Sequence, residues 1–250
     1  MKVTVLGISN GLDCIDSPNT SLLVESAETS ILVDVSASPR QELLKAGVDP
    51  LSLDAVFITH GHIDHVYAFP SLIHSMWLLH RKKPLLVVGN EYAIEVCRHL
   101  FFYFHLNCKI GFEIIWNVLP IEKVGGIRID SFSLYHRPNV PVDGYCFIAD
   151  DFKVSYFPDN VASFPIPACT KNSDILIHEA GGLDKDACIV NESHTTALQA
   201  AMVAREANAG KLILVHLPEG KDLRCAMLDE ARSVFPNTEI PFPGFVMQNQ

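Results

Sequence analysis

The sequence AVFITHGHIDH at residues 55–65 joins an apolar, β-branched run to a cluster of three histidines and one aspartate. The run Ala55–Thr59 has the residue types of a buried strand, so the cluster is predicted at the carboxyl end of that strand. In an extended chain, His60 and His62 project to the same side and can share one metal ion. This stretch therefore predicts a metal site at the edge of a sheet.

The same cluster also offers ligands to a second metal ion. Gly61 and Ile63 let the chain turn, so that Asp64 and His65 can face a position close to the first pair. Imidazole and carboxylate groups suit zinc, which catalytic sites usually hold with three protein ligands and one open position. The cluster supplies too few ligands for two such ions, and we expect further ligands from distant parts of the chain.

Other apolar runs also end in residues that bind metals or transfer protons. These are Ile127–Tyr135 before His136, Lys153–Phe157 before Pro158 and Asp159, Asp174–Ile177 before His178 and Glu179, and Lys211–Val215 before His216. In layered α/β proteins the sheet holds such strand ends at a common rim. His136, Asp159 and His216 are therefore the expected distant ligands. His74, His80, His99 and His105 lie in helical patterns without ligand spacing, and we interpret them as structural.

Composition excludes several classes of protein. Of 250 residues, 48% are hydrophobic and 19% charged, which is unlike a disordered, collagenous or coiled-coil chain. The net charge of −10 disfavours broad, sequence-independent binding to nucleic acid, although bound metal would create a local positive site. No linker or repeat divides the chain, so residues 1–250 are predicted to form a single domain.

Secondary-structure patterns predict a mixed α/β protein whose helices cover its sheets. Strand-like runs recur along the chain, with helical patterns between them at Pro39–Ala46, Ala68–Leu79, Glu91–Phe104, Thr195–Asn208 and Asp222–Val234. The seven cysteines are scattered without a C-x-x-C pair, which is typical of a reducing compartment. No run approaches the ~18–20 apolar residues of a membrane span, so we expect a cytoplasmic protein without a membrane partner.

Three segments of the C-terminal third place these residues in a known order. ILIHEA at 175–180, SHTT at 193–196 and KLILVH at 211–216 follow one another as in ribonuclease Z. With the cluster at 60–65, the chain resembles the metallo-β-lactamase superfamily, and within it the ribonuclease Z-like branch, over roughly residues 1–218. The resemblance implies a four-layer αββα sandwich with a dinuclear site at one rim.

The resemblance also implies how the ligands divide between two zinc ions, with manganese or iron as alternative metals. His60, His62 and His136 would hold the first, Asp64, His65 and His216 the second, and Asp159 would bridge them. Two close cations lower the pKa of a shared water to give a bridging hydroxide, and they neutralise charge on a phosphodiester. Asp64 would orient that hydroxide or accept its proton, which makes it a catalytic candidate as well as a ligand.

His194 is the implied general acid at the leaving oxygen. Glu179 would either orient His194 or form an ordinary ion pair at its strand end. The helix predicted at Thr195–Asn208 starts beside His194, so its free N–H groups are expected to favour bound phosphate.

The chain departs from the family pattern most clearly between His136 and Asp159. Only 22 residues separate the two, and predicted strands occupy most of them, which leaves no room for the long arm with which ribonuclease Z grips the tRNA elbow. The sequence also reads Phe-Pro before Asp159, where the family usually has Gly before the aspartate. We therefore expect an arm-lacking member of the branch, with no extended nucleic-acid surface.

Four functions follow from these observations. The leading hypothesis is a zinc-dependent phosphodiesterase acting on a small or cyclic phosphodiester or an RNA 3′ end. The alternatives are tRNA 3′-processing endoribonuclease activity, hydrolysis of a lactone, thioester or β-lactam on the same metals, and a non-catalytic sensor. The resemblance implies a homodimer. The aromatic run Phe101–Phe104 is predicted to lie at its interface, or else in a buried helix.

Overall fold

The computed structural model describes residues 1–162 and 165–249, in which fourteen strands form two seven-stranded sheets. The first sheet has the order β14-β1-β2-β3-β4-β5-β6, with β1 at Lys2–Gly7, β2 at Ser21–Glu25, β3 at Ser30–Val33, β4 at Ala55–Phe57, β5 at Leu85–Gly89, β6 at Ile114–Val118 and β14 at Phe245–Gln248. The second has the order β13-β12-β11-β10-β9-β8-β7, with β7 at Lys123–Val124, β8 at Ile127–Arg137, β9 at Val140–Ala149, β10 at Phe152–Phe157, β11 at Ile175–Glu179, β12 at Lys211–Val215 and β13 at Thr238–Glu239.

Seven α-helices accompany the sheets. They are α1 at Pro39–Lys45, α2 at Ile63–Val66, α3 at Phe69–Leu78, α4 at Glu91–Tyr103, α5 at Ala187–Val190, α6 at Ala197–Glu206 and α7 at Lys221–Val234. Short 3₁₀ turns lie at Pro50–Ser52, Leu106–Cys108, Ala168–Thr170 and Asp184–Asp186. No helix among the described residues is both long enough and apolar enough to cross a membrane.

Alternating side chains of the first sheet pack into two separate cores. In β3, Ile31 and Val33 face the second sheet, whereas Leu32 faces the core beneath α1, α3 and α4. The larger core fills the space between the sheets and continues beneath α6 and α7 through residues such as Ala200 and Met227. Burial on both faces explains why these strands are apolar throughout. The predicted αββα sandwich is confirmed.

A tight hairpin joins β8 to β9. Arg137 pairs with Val140, so only Pro138 and Asn139 form the turn, and Asn139 takes the left-handed backbone conformation with φ 64°. Strand β9 begins at Val140, directly after this turn. The interval between His136 and Asp159 is thus filled by strands and their turns, which confirms that it holds no helical arm.

The strand directions bring the predicted residues to one edge of the sandwich. Strands β10, β11 and β12 are parallel, and β8 runs in the same direction because both β8 and β10 are antiparallel to β9. The carboxyl ends of these four strands carry His136, Asp159, Glu179 and His216. The cluster at 60–65 follows β4 of the opposite sheet.

Candidate metal centre

The structure brings all seven predicted ligands together in two overlapping groups. Within each group, one ligand atom from every residue lies within 4.8 Å of the others. The first group contains His60, His62, His136 and Asp159, and the second contains Asp64, His65, Asp159 and His216. These are the two sets that the family resemblance implies, with Asp159 common to both.

Asp159 lies at the centre of the cluster and is almost fully buried. Its Oδ2 is 3.9 Å from His60 Nε2 and 3.8 Å from His136 Nε2. Its Oδ1 faces the other group, 3.4 Å from His65 Nε2 and 3.2 Å from His216 Nε2. One carboxylate oxygen therefore faces each group, as a carboxylate that bridges two cations requires.

The polar atoms at the centre of the cluster lack ordinary hydrogen-bond partners. His60 Nε2, His65 Nε2 and Asp159 Oδ1 are buried and accept or donate no hydrogen bond. Burying unpaired polar atoms is costly unless they bind a metal or form another polar contact. Imidazole and carboxylate atoms in this arrangement fit a divalent metal such as zinc.

Hydrogen bonds at the far side of three of the imidazoles, those of His60, His65 and His136, fix how these rings face the centre. His65 Nδ1 lies 2.8 Å from the carboxylate of buried Asp34, and His60 Nδ1 lies 3.0 Å from the hydroxyl of Thr59. His136 Nδ1 bonds the carbonyl of Ser193. Such partners select the ring tautomer and orient the metal-facing nitrogen.

Asp34 is a site residue that the sequence reasoning missed. Besides His65, its carboxylate accepts hydrogen bonds from the backbone N–H and the hydroxyl of Thr59, so it supports both ends of the 60–65 cluster. Asp34 directly follows β3 and adopts φ 59°. The signal that found Asp159 and His216, an apolar strand ending in a metal-type residue, was also present here.

We expect the substitution Asp34→Asn to weaken metal binding about 10–100-fold, because it removes the acceptor that orients His65. Competition with a chromophoric chelator measures this affinity. Asp130→Asn is the matched control, since Asp130 is half-buried on β8, away from the ligands, and pairs with Arg128. Equal affinities in the parent and in both variants would show that Asp34 has no part in metal binding.

Burial and neighbouring charges set the protonation of the cluster. Burial lowers the pKa of His60 well below its usual value and that of His136 to about 4, so both rings are neutral near pH 7. Burial also opposes the charged form of His65, but the carboxylates of Asp34 and Asp159 outweigh it and raise its pKa. Only neutral imidazole binds metal, so binding must displace the proton of His65.

His194 faces the same cluster from the loop between α5 and α6. Its ring centroid is 5.0 Å from that of His136 and 5.3 Å from that of His216. Its Nδ1 is 3.4 Å from Glu179 Oε1, an ion-pair distance rather than a well-formed hydrogen bond. Burial disfavours the charged imidazole, but Glu179 outweighs this effect and raises the pKa of His194 to about 9.

Glu179 is fully buried at the end of β11 and has more than one partner. Its Oε1 accepts hydrogen bonds from the backbone N–H groups of Thr195 and Asn160. The carboxylate thus supports the two segments that carry His194 and Asp159, in addition to its contact with His194. Glu179 therefore makes these backbone contacts in addition to the ion pair with His194 at its strand end.

The predicted phosphate site at the start of the following helix is wrong. Helix α6 begins at Ala197, and Thr196 and Gln199 form a capping box in which each side chain binds the other residue's backbone N–H. The N–H of Ala197 bonds Gly182, and that of Thr195 bonds Glu179. These donors are occupied by the chain itself and do not face a ligand.

The family follows from a match over most of the chain. The family model described as the beta-lactamase superfamily domain matches residues 29–217, a range that contains every predicted ligand. The chain belongs to the β-lactamase superfamily. The expectation drawn from the 60–65 cluster and the C-terminal segments is thereby confirmed.

Relatives within the superfamily agree with the predicted branch. Ribonuclease Z of Bradyrhizobium sp. (strain ORS 278) is 26% identical, and the alignment covers 96% of both chains. It extends over 293 positions, more than the 250 residues of this chain, so that relative carries segments that this superfamily member lacks. The predicted class, a metal-dependent hydrolase resembling ribonuclease Z, is confirmed by such relatives together with the His/Asp cluster.

Solved structures of the superfamily share the fold along the whole chain. The metallo-beta-lactamase fold protein YhfI from Bacillus subtilis is 26% identical, with a TM-score of 0.83 and 98% of each chain covered. The short form of human tRNase Z is 19% identical, with a TM-score of 0.80 and 99% of each chain covered, and shows the fold alone.

Four further histidines of this superfamily member lie outside the site, as predicted. Among the described residues, the groups close enough to share a metal ion contain none of His74, His80, His99 and His105. His80 and His105 lie two residues beyond the last residues of α3 and α4, and both adopt the left-handed conformation. They are structural residues at helix ends.

Proposed function

We propose that this chain is a dinuclear zinc phosphodiesterase that hydrolyses a small or cyclic phosphodiester or a nucleotide end. The observation that carries the proposal is the combination of two ligand groups sharing Asp159 with a two-residue turn at Pro138 and Asn139. The metal cluster supplies hydrolytic chemistry, whereas the short hairpin provides no surface for a large RNA. The net charge of −10 also favours a compact anionic substrate held at the metals.

The proposed ligands are those that the two groups contain. His60, His62, Asp64, His65, His136, Asp159 and His216 would hold two zinc ions, or manganese or iron in their place. When bound, such a pair lowers the pKa of a water molecule and neutralises charge on the phosphodiester oxygens.

Residues of the chain itself perform the remaining steps. Asp64 Oδ2 lies 3.3 Å from His216 Nε2 and 3.5 Å from His65 Nε2, so its carboxylate can orient the attacking water and accept its proton. His194 holds a proton beside Glu179 and delivers it to the leaving oxygen as general acid. Glu179 keeps His194 protonated and in position from the attack of the water until the leaving oxygen accepts the proton.

Substituting Glu179→Gln should move the alkaline limb of the kcat–pH profile to lower pH. Glu179 raises the pKa of His194 to about 9, and the general acid acts only in its protonated form. Without the carboxylate, that pKa falls and activity is lost earlier as the pH rises. Glu192→Gln, an exposed glutamate two residues before His194, is the control and should keep the parent profile. An unmoved limb in Glu179→Gln would remove Glu179 from this role.

A substrate screen on the metal-loaded protein tests the proposed function. Bis(p-nitrophenyl) phosphate and a 2′,3′-cyclic nucleotide should be hydrolysed, and elemental analysis should find two metal ions per chain. Turnover of esters and lactones without turnover of either phosphodiester would instead support the lactone, thioester or β-lactam alternative on the same metals. Metal binding without any turnover would support the sensor.

The second candidate is tRNA 3′-processing. It is favoured by relatives named ribonuclease Z whose alignments cover 96% of this chain. The longer length of those relatives and the short hairpin between β8 and β9 argue against it. Cleavage of a precursor tRNA at the discriminator base, with a rate above that for the cyclic nucleotide, would favour it over the small substrate.

We further propose a homodimer through the helical face of the first sheet. Phe102, Tyr103 and Phe104 are at least half exposed, together with Leu78, whereas Phe101 is buried beside Trp116. The predicted aromatic run therefore divides between core and surface. Sedimentation of the protein tests the dimer.

A single domain and a cytoplasmic location also stay predictions. The cytoplasmic location is supported by the seven free cysteines.

A further inference from the structure

Arg137 lies at the rim of the candidate metal centre. It is the last residue of β8 and directly follows His136. Its Nη2 donates a 3.0 Å hydrogen bond to the hydroxyl of Ser193, and the carbonyl of Ser193 bonds His136 Nδ1. Ser193 also precedes His194 in the chain. The guanidinium is therefore held between the segment that carries a proposed ligand and the segment that carries the proposed general acid.

The positive charge of Arg137 is not neutralised by a neighbouring carboxylate. Across residues 1–162 and 165–249, no Asp or Glu oxygen lies within ion-pair distance of its guanidinium, whereas Arg128 at the other end of β8 pairs with Asp130. Arg137 is exposed and accessible to a ligand.

We propose that Arg137 binds a second anionic group of the substrate, so that the preferred substrate is a phosphodiester that also carries a phosphate monoester. The inference deepens the proposed function and rests on it. A guanidinium presents five N–H donors in a planar fork that matches phosphate, and Ser193 occupies only part of that fork. The second phosphate lies on the His194 side of the metal centre, and thus on the leaving group.

The hairpin explains why the second anion is small. With a turn of two residues, β8 ends at Arg137 and the chain returns at once in β9. No segment extends beyond the guanidinium there to contact a longer nucleic acid. The reaction class that must supply such a substrate is one that forms an internal phosphodiester on a compound that is already phosphorylated.

Two pairs of probes that differ by one phosphate test this inference on the metal-loaded protein. Turnover compares adenosine 2′,3′-cyclic phosphate with its 5′-phosphorylated form. Binding by calorimetry compares adenosine 3′-monophosphate with adenosine 3′,5′-bisphosphate, and this comparison needs no turnover. We expect the parent to prefer the 5′-phosphorylated member of each pair about tenfold or more, in kcat/KM and in affinity respectively.

The variants Arg137→Ala and Arg128→Ala separate a local contact from a change in net charge. Each removes one positive charge from β8. Only Arg137→Ala should abolish the preference, which is measured within each variant as the ratio of kcat/KM for the phosphorylated probe to that for the unphosphorylated probe. Arg137→Lys should retain part of the preference, because the charge stays but the fork is lost. Ser193→Ala should weaken the preference by freeing the guanidinium.

Three results would overturn the inference. The first is a parent protein that does not prefer the 5′-phosphorylated probes. The second is an equal loss of that preference in Arg137→Ala and Arg128→Ala. The third is a loss of activity on both cyclic probes in Arg137→Ala, which would show that Arg137 only supports the structure of the site. Failure of the proposed function has a different signature, since neither cyclic probe nor bis(p-nitrophenyl) phosphate would then be hydrolysed by the parent. In that case the calorimetric preference still decides whether Arg137 binds the added phosphate.

Discussion

Substituting Asp159→Ala should lower kcat/KM for phosphodiesters by about 10³–10⁴-fold or more, the loss expected when several kcal/mol of metal-assisted stabilisation disappear. Asp159 is the residue shared by both ligand groups, with Oδ1 facing His65 and His216 and Oδ2 facing His60 and His136. Its removal therefore affects both metals at once, whereas the loss of a histidine affects one group. Activity on bis(p-nitrophenyl) phosphate and metal content by elemental analysis measure the effect.

The control for this experiment must separate metal loss from misfolding. Asp159 is nearly fully buried, so the isosteric Asp159→Asn is made beside the alanine variant, and circular dichroism checks the fold of both. Asp130→Ala, at a half-buried position of β8 that belongs to neither ligand group, should leave activity and metal content at the parent values. Two tightly bound metals in a folded and fully active Asp159→Ala would refute the bridging role.

The second large effect is expected from His194→Ala, which should reduce kcat about 10²–10⁴-fold while the metal content stays at the parent value. His194 is not a member of either group that contains Asp159, and it lies beside both, with its ring 5.0 Å from that of His136. Because the general acid assists the leaving oxygen, the loss should be largest for substrates with poor leaving groups.

Two substrates therefore give the sharper measurement for His194. The variant should lose much less activity on a p-nitrophenyl ester, whose leaving group needs little protonation, than on a nucleoside ester. His99→Ala, an exposed histidine of α4, serves as the control. Equal losses on the two substrates, or loss of one metal ion, would assign His194 to metal binding instead, a possibility raised by its proximity to Glu179 and His216.

The parts of the fold that could be predicted are those whose physical signal is local in sequence. Strands such as β3 and β12 are buried on both faces and thus read as continuous apolar runs that end at a ligand. Helix α7 was placed to within one residue at its start from its apolar stripe. The ligand positions followed because a strand end is visible in the sequence, and the sheet then brings such ends together.

The features that escaped prediction depend on partners distant in sequence. Helices α2 and α5 span four residues each, too few for a helical period to be detected. The two-residue strands β7 and β13 exist only through pairing with β8 and β12. The hydrogen bond by which Asp34 supports His65 joins residues 31 positions apart in the sequence. The capping box of α6 pairs backbone N–H groups that the sequence pattern alone does not show to be paired.

The division of the ligands between the two sheets links metal supply to the stability of the whole chain. His60, His62, Asp64 and His65 follow β4 of one sheet, whereas His136, Asp159 and His216 end strands of the other. Each bound cation is consequently a cross-link between the halves of the sandwich, absent from the unfolded chain. At a free metal concentration of about 1,000 times Kd, one such site adds about 4 kcal/mol to the free energy of unfolding. Withdrawal of the metal would thereby weaken the fold as well as stop the chemistry, and would shorten the lifetime of the protein against proteolysis.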